Sequence, residues 1–447
     1  MTIRSKASVF SGEASQKRPT RKFKSLNEPN EVKGEGFGVV RSGEAELLTD
    51  TSGAEALDKN ANNLSRRDVR KLRAARYERR HGLWKLSSIK RVRDCGRVRI
   101  SDKAGITISN GIATYSGLAT CGSVWCCPVC SAKIMASRSG DVKAAIDAWG
   151  SKNKSFIFQT LTMKHHKGQS LDELWAGLSY AWQRLNSGGA AKKEAAKYSQ
   201  AGFIRVVELT HGSNGWHIHI HILRFLNEAP TKDEVATWAE AQFLRWSAAL
   251  TQSGLATPMR NAQDFKLTRN AEDLAKYLTK QANYGGKLSK ELTSSETKQA
   301  KRGGRKPFEI LDDYIAEPSG ESKALWLEYE AASKGKKQTH WSNGLRSLLG
   351  IDYEKSDAEI ADADDIEGNE CSPVVYLTNA GMKTLTQNPR WQHEALTCAE
   401  RSGIEALKIF LIEIGVEYLD PWDLLTEDDP LRDYFELLEV AAEFRQH

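Results

Sequence analysis

The chain has 447 residues, a net charge of +6, 40% hydrophobic side chains and a mean hydropathy of −0.53. That length can hold two or three domains with a sizeable core, and no run of about 18 apolar residues exists to cross a bilayer. Residues 1–17 carry charge but no apolar segment, so the sequence reads as lacking a secretory signal and as cytoplasmic, with reduced thiols and no membrane partner.

Residues 1–63 are rich in Ser, Gly, Asn, Lys and Glu, without apolar periodicity, and read as a disordered tail. Residues 64–94 form a basic helical segment that opens with Arg66, Arg67, Arg70, Lys71 and Arg73, with Leu72, Ala75 and Tyr77 as sparse apolar contacts. A basic block beside a globular body points to a polyanion, nucleic acid first, although a solvated helix face would carry the same charge.

A cysteine module follows at 95–138. Cys127-Pro128-Val129-Cys130 is a Cys-x-x-Cys knuckle whose spacing lets two thiolates grip one tetrahedral ion. Cys95 and Cys121 complete four sulfur ligands, which suits a structural Zn²⁺ with no open position. A redox pair is the alternative; the density of thiols and the flanking Lys133 and Arg138 favour a metal-held DNA-binding ribbon. Cys126 reads as the free neighbour, and Cys371 and Cys398 as isolated residues.

Strands and helices then alternate. Residues 156–163 are a compact β run, and 171–185 have apolar residues at helical spacing. Residues 203–209 and 216–225 read as a hairpin around the turn residues 211–215, followed by a helix over about 233–250, a short strand at 265–267 and a helix over about 271–282. Residues 290–306 look like a basic surface loop, and 308–314 and 325–329 look helical. Residues 351–447 form an acidic helical region with an amphipathic stretch at 405–414.

The sharpest feature is Trp216-His217-Ile218-His219-Ile220-His221-Ile222. Alternate strand residues share a face, so one face is all imidazole while the isoleucines face the core. Packing gives no reason for that pattern, whereas imidazoles two residues apart make a clamp for a divalent ion. Glu208, across the turn, is positioned as a third ligand, or else is an exposed strand charge. Two imidazoles and a carboxylate leave positions open, and an open-sited Mg²⁺ or Mn²⁺ can polarise a phosphate oxygen.

On the helix over 271–282, Asp273, Tyr277 and Lys280 share one face. A helical tyrosine is ordinarily a packing residue; beside a metal-activated phosphate it becomes a nucleophile, with Lys280 stabilising the developing charge and Asp273 able to activate water or a 3′-hydroxyl. Tyr284 lies two turns further on, a reserve nucleophile.

These segments, in this order, resemble the plasmid rolling-circle replication initiators, the Rep proteins of the HUH endonuclease superfamily. Phe158-Gln159-Thr160-Leu161-Thr162 is similar to that family's first motif, His219-Ile220-His221 to its metal motif with His217 upstream, and Ala275 to Lys280 to its tyrosine helix. Cys121 to Lys133 resembles the cysteine cluster of actinobacterial members.

The resemblance covers roughly residues 95–315 and implies an HUH-type fold, a central antiparallel sheet flanked by helices with the histidines on a middle strand. The chain is thus expected to be α+β, with the nicking domain at 139–350, preceded by the four-cysteine zinc-binding module and followed by a helical C-terminal region that has no counterpart in the family. It implies Tyr277 as the nucleophile and a divalent metal at His219 and His221. Some relatives use an acidic residue one turn before the tyrosine in termination; here the matching position is Asp273 rather than Glu, which leaves that role open.

The expected function is origin binding, nicking of one strand through a 5′-phosphotyrosine link and rejoining, with single- and double-stranded origin DNA as partner and a host helicase or polymerase as a further contact. The rivals are a relaxase or transposase of the same chemistry, a metal-dependent hydrolase, and a non-enzymatic zinc-dependent DNA-binding regulator.

Overall fold

The computed structural model describes residues 65–150, 154–268, 304–351, 353–363 and 372–424, all within the unit Thr51–His447. The expected tail at 1–63, the tyrosine helix with Asp273, Tyr277, Lys280 and Tyr284, most of the basic loop at 290–306, and Cys371 lie outside the described residues.

Helix α1 (Arg66–Leu86) starts at Ser65, whose hydroxyl accepts from the Asp68 amide at 3.2 Å while Asp68 reaches back, a capping box that satisfies two orphan amides. A short α2 (Lys90–Asp94) leads to a hairpin the sequence reading missed, β1 (Gly105–Ser109) and β2 (Ile112–Ser116). Its turn is Asn110-Gly111, with φ of 51° and 75°. Both central residues of this tight turn need positive φ, which Asn and Gly supply cheaply.

Helix α3 (Pro128–Gly150) begins inside the cysteine knuckle, with Pro128 where its missing amide costs nothing. The chain continues through β3 (Ser155–Thr162), α4 (Leu171–Asn186), α5 (Gly188–Lys197), β4 (Gln200–Gly212), β5 (Gly215–Leu226), α6 (Lys232–Gln252) and β6 (Asp264–Thr268). Then come α7 (Pro307–Ala316), α8 (Gly320–Ser333), β7 (Thr339–Trp341), α9 (Leu345–Leu349) and α10 (Asp357–Asp362). The C-terminal part holds β8 (Val375–Leu377), α11 (Asn379–Leu385), α12 (Trp391–Glu413, interrupted at Gly403) and β9 (Tyr418–Leu419).

The larger sheet has the order β6-β3-β5-β4-β7 with every pairing antiparallel, so the histidine strand β5 is its middle strand. This is the α+β architecture expected, with helices on both faces. Ile218, Ile220 and Ile222 are at most 1% exposed and pack with Leu174, Trp175 and Leu178 of α4 and Trp246 of α6. On the opposite face, Val142, Ile146 and Trp149 of α3 cover Leu223 and Phe225, the C-terminal half of β5. The histidines occupy the N-terminal half of that same face.

The smaller sheet runs β2-β1-β8-β9. Gly105 pairs with Tyr376 and Ile106 with Val375, so the hairpin between Cys95 and Cys121 is completed by strands more than 250 residues further along the chain. A separate core of Ile106, Leu377, Leu385, Leu396, Leu407 and Leu411 binds this sheet to α11 and α12.

Candidate metal centre

The β4–β5 ladder places Glu208 directly opposite His219, and β3 places Thr160 opposite His221. Cross-strand partners project to one side, so these groups share the face the alternation assigned to the histidines. The Nε2 atoms of His219 and His221 lie 3.0 and 3.2 Å from one oxygen, Oε2 of Glu208. The Nδ1 of His221 lies 3.1 Å from the Thr160 hydroxyl, which fixes that ring with its Nε2 towards the carboxylate. Phe158 stacks on the same ring, 5.7 Å between centroids at 4°.

Burial pushes the His221 imidazolium down, more than its hydrogen bond to Glu208 raises it, so the ring is neutral at pH 7. Burial alone would raise the Glu208 carboxyl, but the hydrogen bonds and charges of His219 and His221 outweigh it and hold it well below the usual carboxylate range. A neutral imidazole and an ionised carboxylate are the protonation states metal ligation needs.

The donor set fits a divalent ion on two counts. One ligand atom from each of Glu208, His219 and His221 lies within 4.8 Å of the others. His219 also buries an Nδ1 with no hydrogen-bond partner among the described residues, while its Nε2 is committed to the convergence point.

His217 stands apart from that group. Its Nδ1 lies 3.0 Å from Nε2 of His165, whose own Nδ1 lies 3.0 Å from the carbonyl oxygen of Asn214. A carbonyl only accepts, so the His165 Nδ1–H donates to Asn214 and leaves Nε2 facing His217. Burial, then repulsion from His219 and His165, lowers His217 to about 4. The sequence reading did not single out His165; its one cue was a histidine pair, His165-His166, just after the Thr160-Leu161-Thr162 strand end.

The second cluster gathers Cys95, Cys121, Cys127 and Cys130, all buried. Sulfur separations are 3.7 Å for Cys95–Cys127, 3.6 Å for Cys95–Cys130 and 3.6 Å for Cys121–Cys130. Tetrahedral zinc–sulfur bonds of about 2.3 Å place sulfurs about 3.8 Å apart, so the four thiols stand near the corners of such a site. Cys130 sits in the first turn of α3, where the helix dipole favours thiolate. Cys126 is outside the group and turns its sulfur towards Ser333 at 3.9 Å.

Gly96, just after Cys95, has φ +64° and a Cβ there would fall 2.1 Å from the Arg80 guanidinium. Arg80, 4% exposed, donates to Gln392, whose amide donates to the Gly96 carbonyl at 2.7 Å.

Several cations assigned to DNA by charge alone have protein partners. Arg70 and Arg73 both reach Glu400, Arg73 at 2.6 and 2.9 Å, and Glu400 also accepts from the Ala113 amide. Arg138 is 7% exposed and pairs with Glu354 and Asp357, both at 3.1 Å. Lys133 donates to the Ala363 carbonyl. Arg66, Arg67 and Lys71 remain on the outer surface of α1.

Fold and site together define a class: an antiparallel-sheet protein with a histidine–carboxylate centre on its middle strand and a separate four-cysteine cluster. The family model Replication protein matches residues 117–368. Protein rep of Streptomyces lividans is 31% identical over 330 residues, covering 60% of this chain and 72% of that protein. A neomycin resistance protein of Streptomyces cyanogenus is 28% identical over 178 residues, 33% of this chain and 41% of that one. No solved structure matches. The chain belongs to the replication-protein family. Among the described residues no helix is long and apolar enough to cross a membrane.

Proposed function

We propose that this protein initiates plasmid rolling-circle replication in the cytoplasm by binding its origin, nicking one strand and later rejoining it. The observation that carries the reading is the convergence of His219, His221 and Glu208 on one point of the middle strand, in a chain that belongs to the replication-protein family. These three residues would hold Mg²⁺ or Mn²⁺, which supplies Lewis-acid polarisation of the scissile phosphate. Thr160 orients His221, and the His165–His217 pair borders the same face. The cysteine cluster would hold a structural zinc and keep the segment after α1 in shape.

In this reading Tyr277 is the nucleophile. Its phenol oxygen attacks phosphorus, the bond to the 3′-oxygen breaks, and the phenol proton leaves as the 3′-oxygen gains one. The products are a 5′-phosphotyrosine and a free 3′-hydroxyl that a host polymerase extends, with a helicase as a further partner. Lys280 stabilises the developing charge, and Asp273 activates the 3′-hydroxyl that resolves the link. Residues 139–350 perform this chemistry, and the basic helix and cysteine module before them hold the origin duplex.

The test is incubation with labelled single-stranded origin oligonucleotide and Mn²⁺, resolved on a denaturing gel. A covalent adduct is expected from the native protein and from Lys192→Gln, and none from Tyr277→Phe or His219→Ala, with origin binding intact in both. Adduct formation by Tyr277→Phe at the native rate would remove Tyr277 from the scheme.

A further inference from the structure

Of the five cations that open α1, Arg70 and Arg73 are committed to Glu400, while Arg66, Arg67 and Lys71 are exposed; a second surface with charge unpaired among the described residues lies elsewhere. A cavity of about 320 Å³ opens between the segment after Cys95 and helix α11. Arg97, Arg99 and Lys383 line it, over a floor that includes Val98, Met382 and Thr386. No carboxylate among the described residues lines it. Arg97 and Lys383 are exposed and neither forms an ion pair among the described residues.

The backbone that carries the two arginines is fixed. The Gly96 amide donates to Ala119 at 2.7 Å, Ala119 returns a bond to Val98 at 2.8 Å, and Ile100 donates to Gly117 at 2.9 Å. Arg99 donates to the Ser101 and Asp102 carbonyls, and the Arg97 guanidinium lies 5.7 Å from the Trp84 ring centre. The arginines are therefore held in place before any ligand arrives. The cavity presents three cations with no carboxylate among the described residues in its lining, and a bound polyanion would supply the counter-charge.

We propose that Arg97, Arg99 and Lys383 form a phosphate-binding surface for the backbone of duplex DNA. Three cations around one cavity span more than a single phosphate, and the contacts are to backbone, so the surface supplies affinity and orientation rather than base readout. The proposal rests on the reading that the chain works on DNA, and it adds a duplex contact at this cavity to the exposed Arg66, Arg67 and Lys71 at the start of α1. The three cations lie outside residues 117–368, the span of the family match.

The test measures binding of the full chain to a duplex of about 30 base pairs, and to one of its strands, across a series of salt concentrations without divalent metal. Each lost phosphate contact reduces the slope of log K against log salt by about 0.9, so Arg97→Gln/Lys383→Gln is expected to reduce it by about 1.8 on duplex. Lys192→Gln/Lys193→Gln removes the same charge from exposed positions of α5 and is expected to leave the slope unchanged. Lys383→Glu alone, at an exposed position, is expected to weaken duplex binding further and to melt with the native protein. An unchanged slope in the Arg97/Lys383 variant, an equal fall in the α5 control, or a loss confined to single strand overturns the proposal. Adduct formation on single-stranded oligonucleotide reads the nicking chemistry separately, so the two can fail independently.

Discussion

Glu208 sits directly across the ladder from His219 and shares one carboxylate oxygen between His219 and His221, at 3.0 and 3.2 Å. Two imidazoles and one ionised oxygen brought to a point on a central strand make a preorganised centre, and its energetics can be tested piece by piece.

Thr160→Val keeps the shape of the side chain and removes the hydroxyl beside Nδ1 of His221. Loss of such an outer partner costs about 10–100-fold in metal affinity. Mn²⁺ titration is expected to show that loss with the melting temperature unchanged, and Glu208→Gln is expected to lose more. Native Mn²⁺ affinity in both variants would remove this group as a metal site.

Metal analysis of the purified chain is expected to find zinc, released on treatment with a strong chelator and retained less well by Cys130→Ser. Structural zinc contributes folding free energy directly, so release is expected to lower the melting temperature. Cys126→Ser, whose sulfur lies outside the cluster, is expected to keep its zinc.

Glu400→Ala leaves Arg70, Arg73 and the Ala113 amide without their shared acceptor. Removing one partner of a buried charged group costs about 3 kcal/mol. Urea unfolding reads this loss, and the salt slope of DNA binding is expected to stay native. A stable Glu400→Ala protein would mean that the clamp between α1 and α12 contributes little.

His393 is lowered to about 4, by burial and then by Arg73 and Arg390. Its folded value is below the unfolded one, near 6.5. The unfolded chain therefore binds the proton first, and the stability this residue contributes is present above about pH 6.5 and is lost as pH falls towards 4. His393→Asn is expected to flatten that part of the stability–pH curve; a curve parallel to the native one would show that His393 does not contribute.

Much of the site was legible because it is local. The alternation from Trp216 to Ile222 fixed which side of β5 faces the core, and one turn brought Glu208 opposite His219. The β1–β2 hairpin was missed although Asn110-Gly111 announces such a turn, because the cysteines drew the reading towards a metal ribbon. Partners distant in sequence were out of reach: Arg70 and Glu400 are 330 positions apart, and no pattern in α1 distinguishes a cation awaiting DNA from one already paired. The His165–His217 contact spans 52 positions through a loop and is equally invisible to periodicity.

The pairing of Ile106 with Val375 has a consequence for biosynthesis. A ribosome finishes β1 and β2 early, but their neighbour emerges only after the five-stranded sheet and both candidate metal clusters have been made. Until then β1 presents an open edge, the kind of surface that invites mispairing. Lys383, which follows β8 along the chain, joins the arginines later still, so the basic cavity is completed only after β8 has been made. Ribosome-stalled chains ending before Val375 should therefore be cleaved by protease within 95–120 far faster than the released protein, and equal cleavage would contradict this order of assembly.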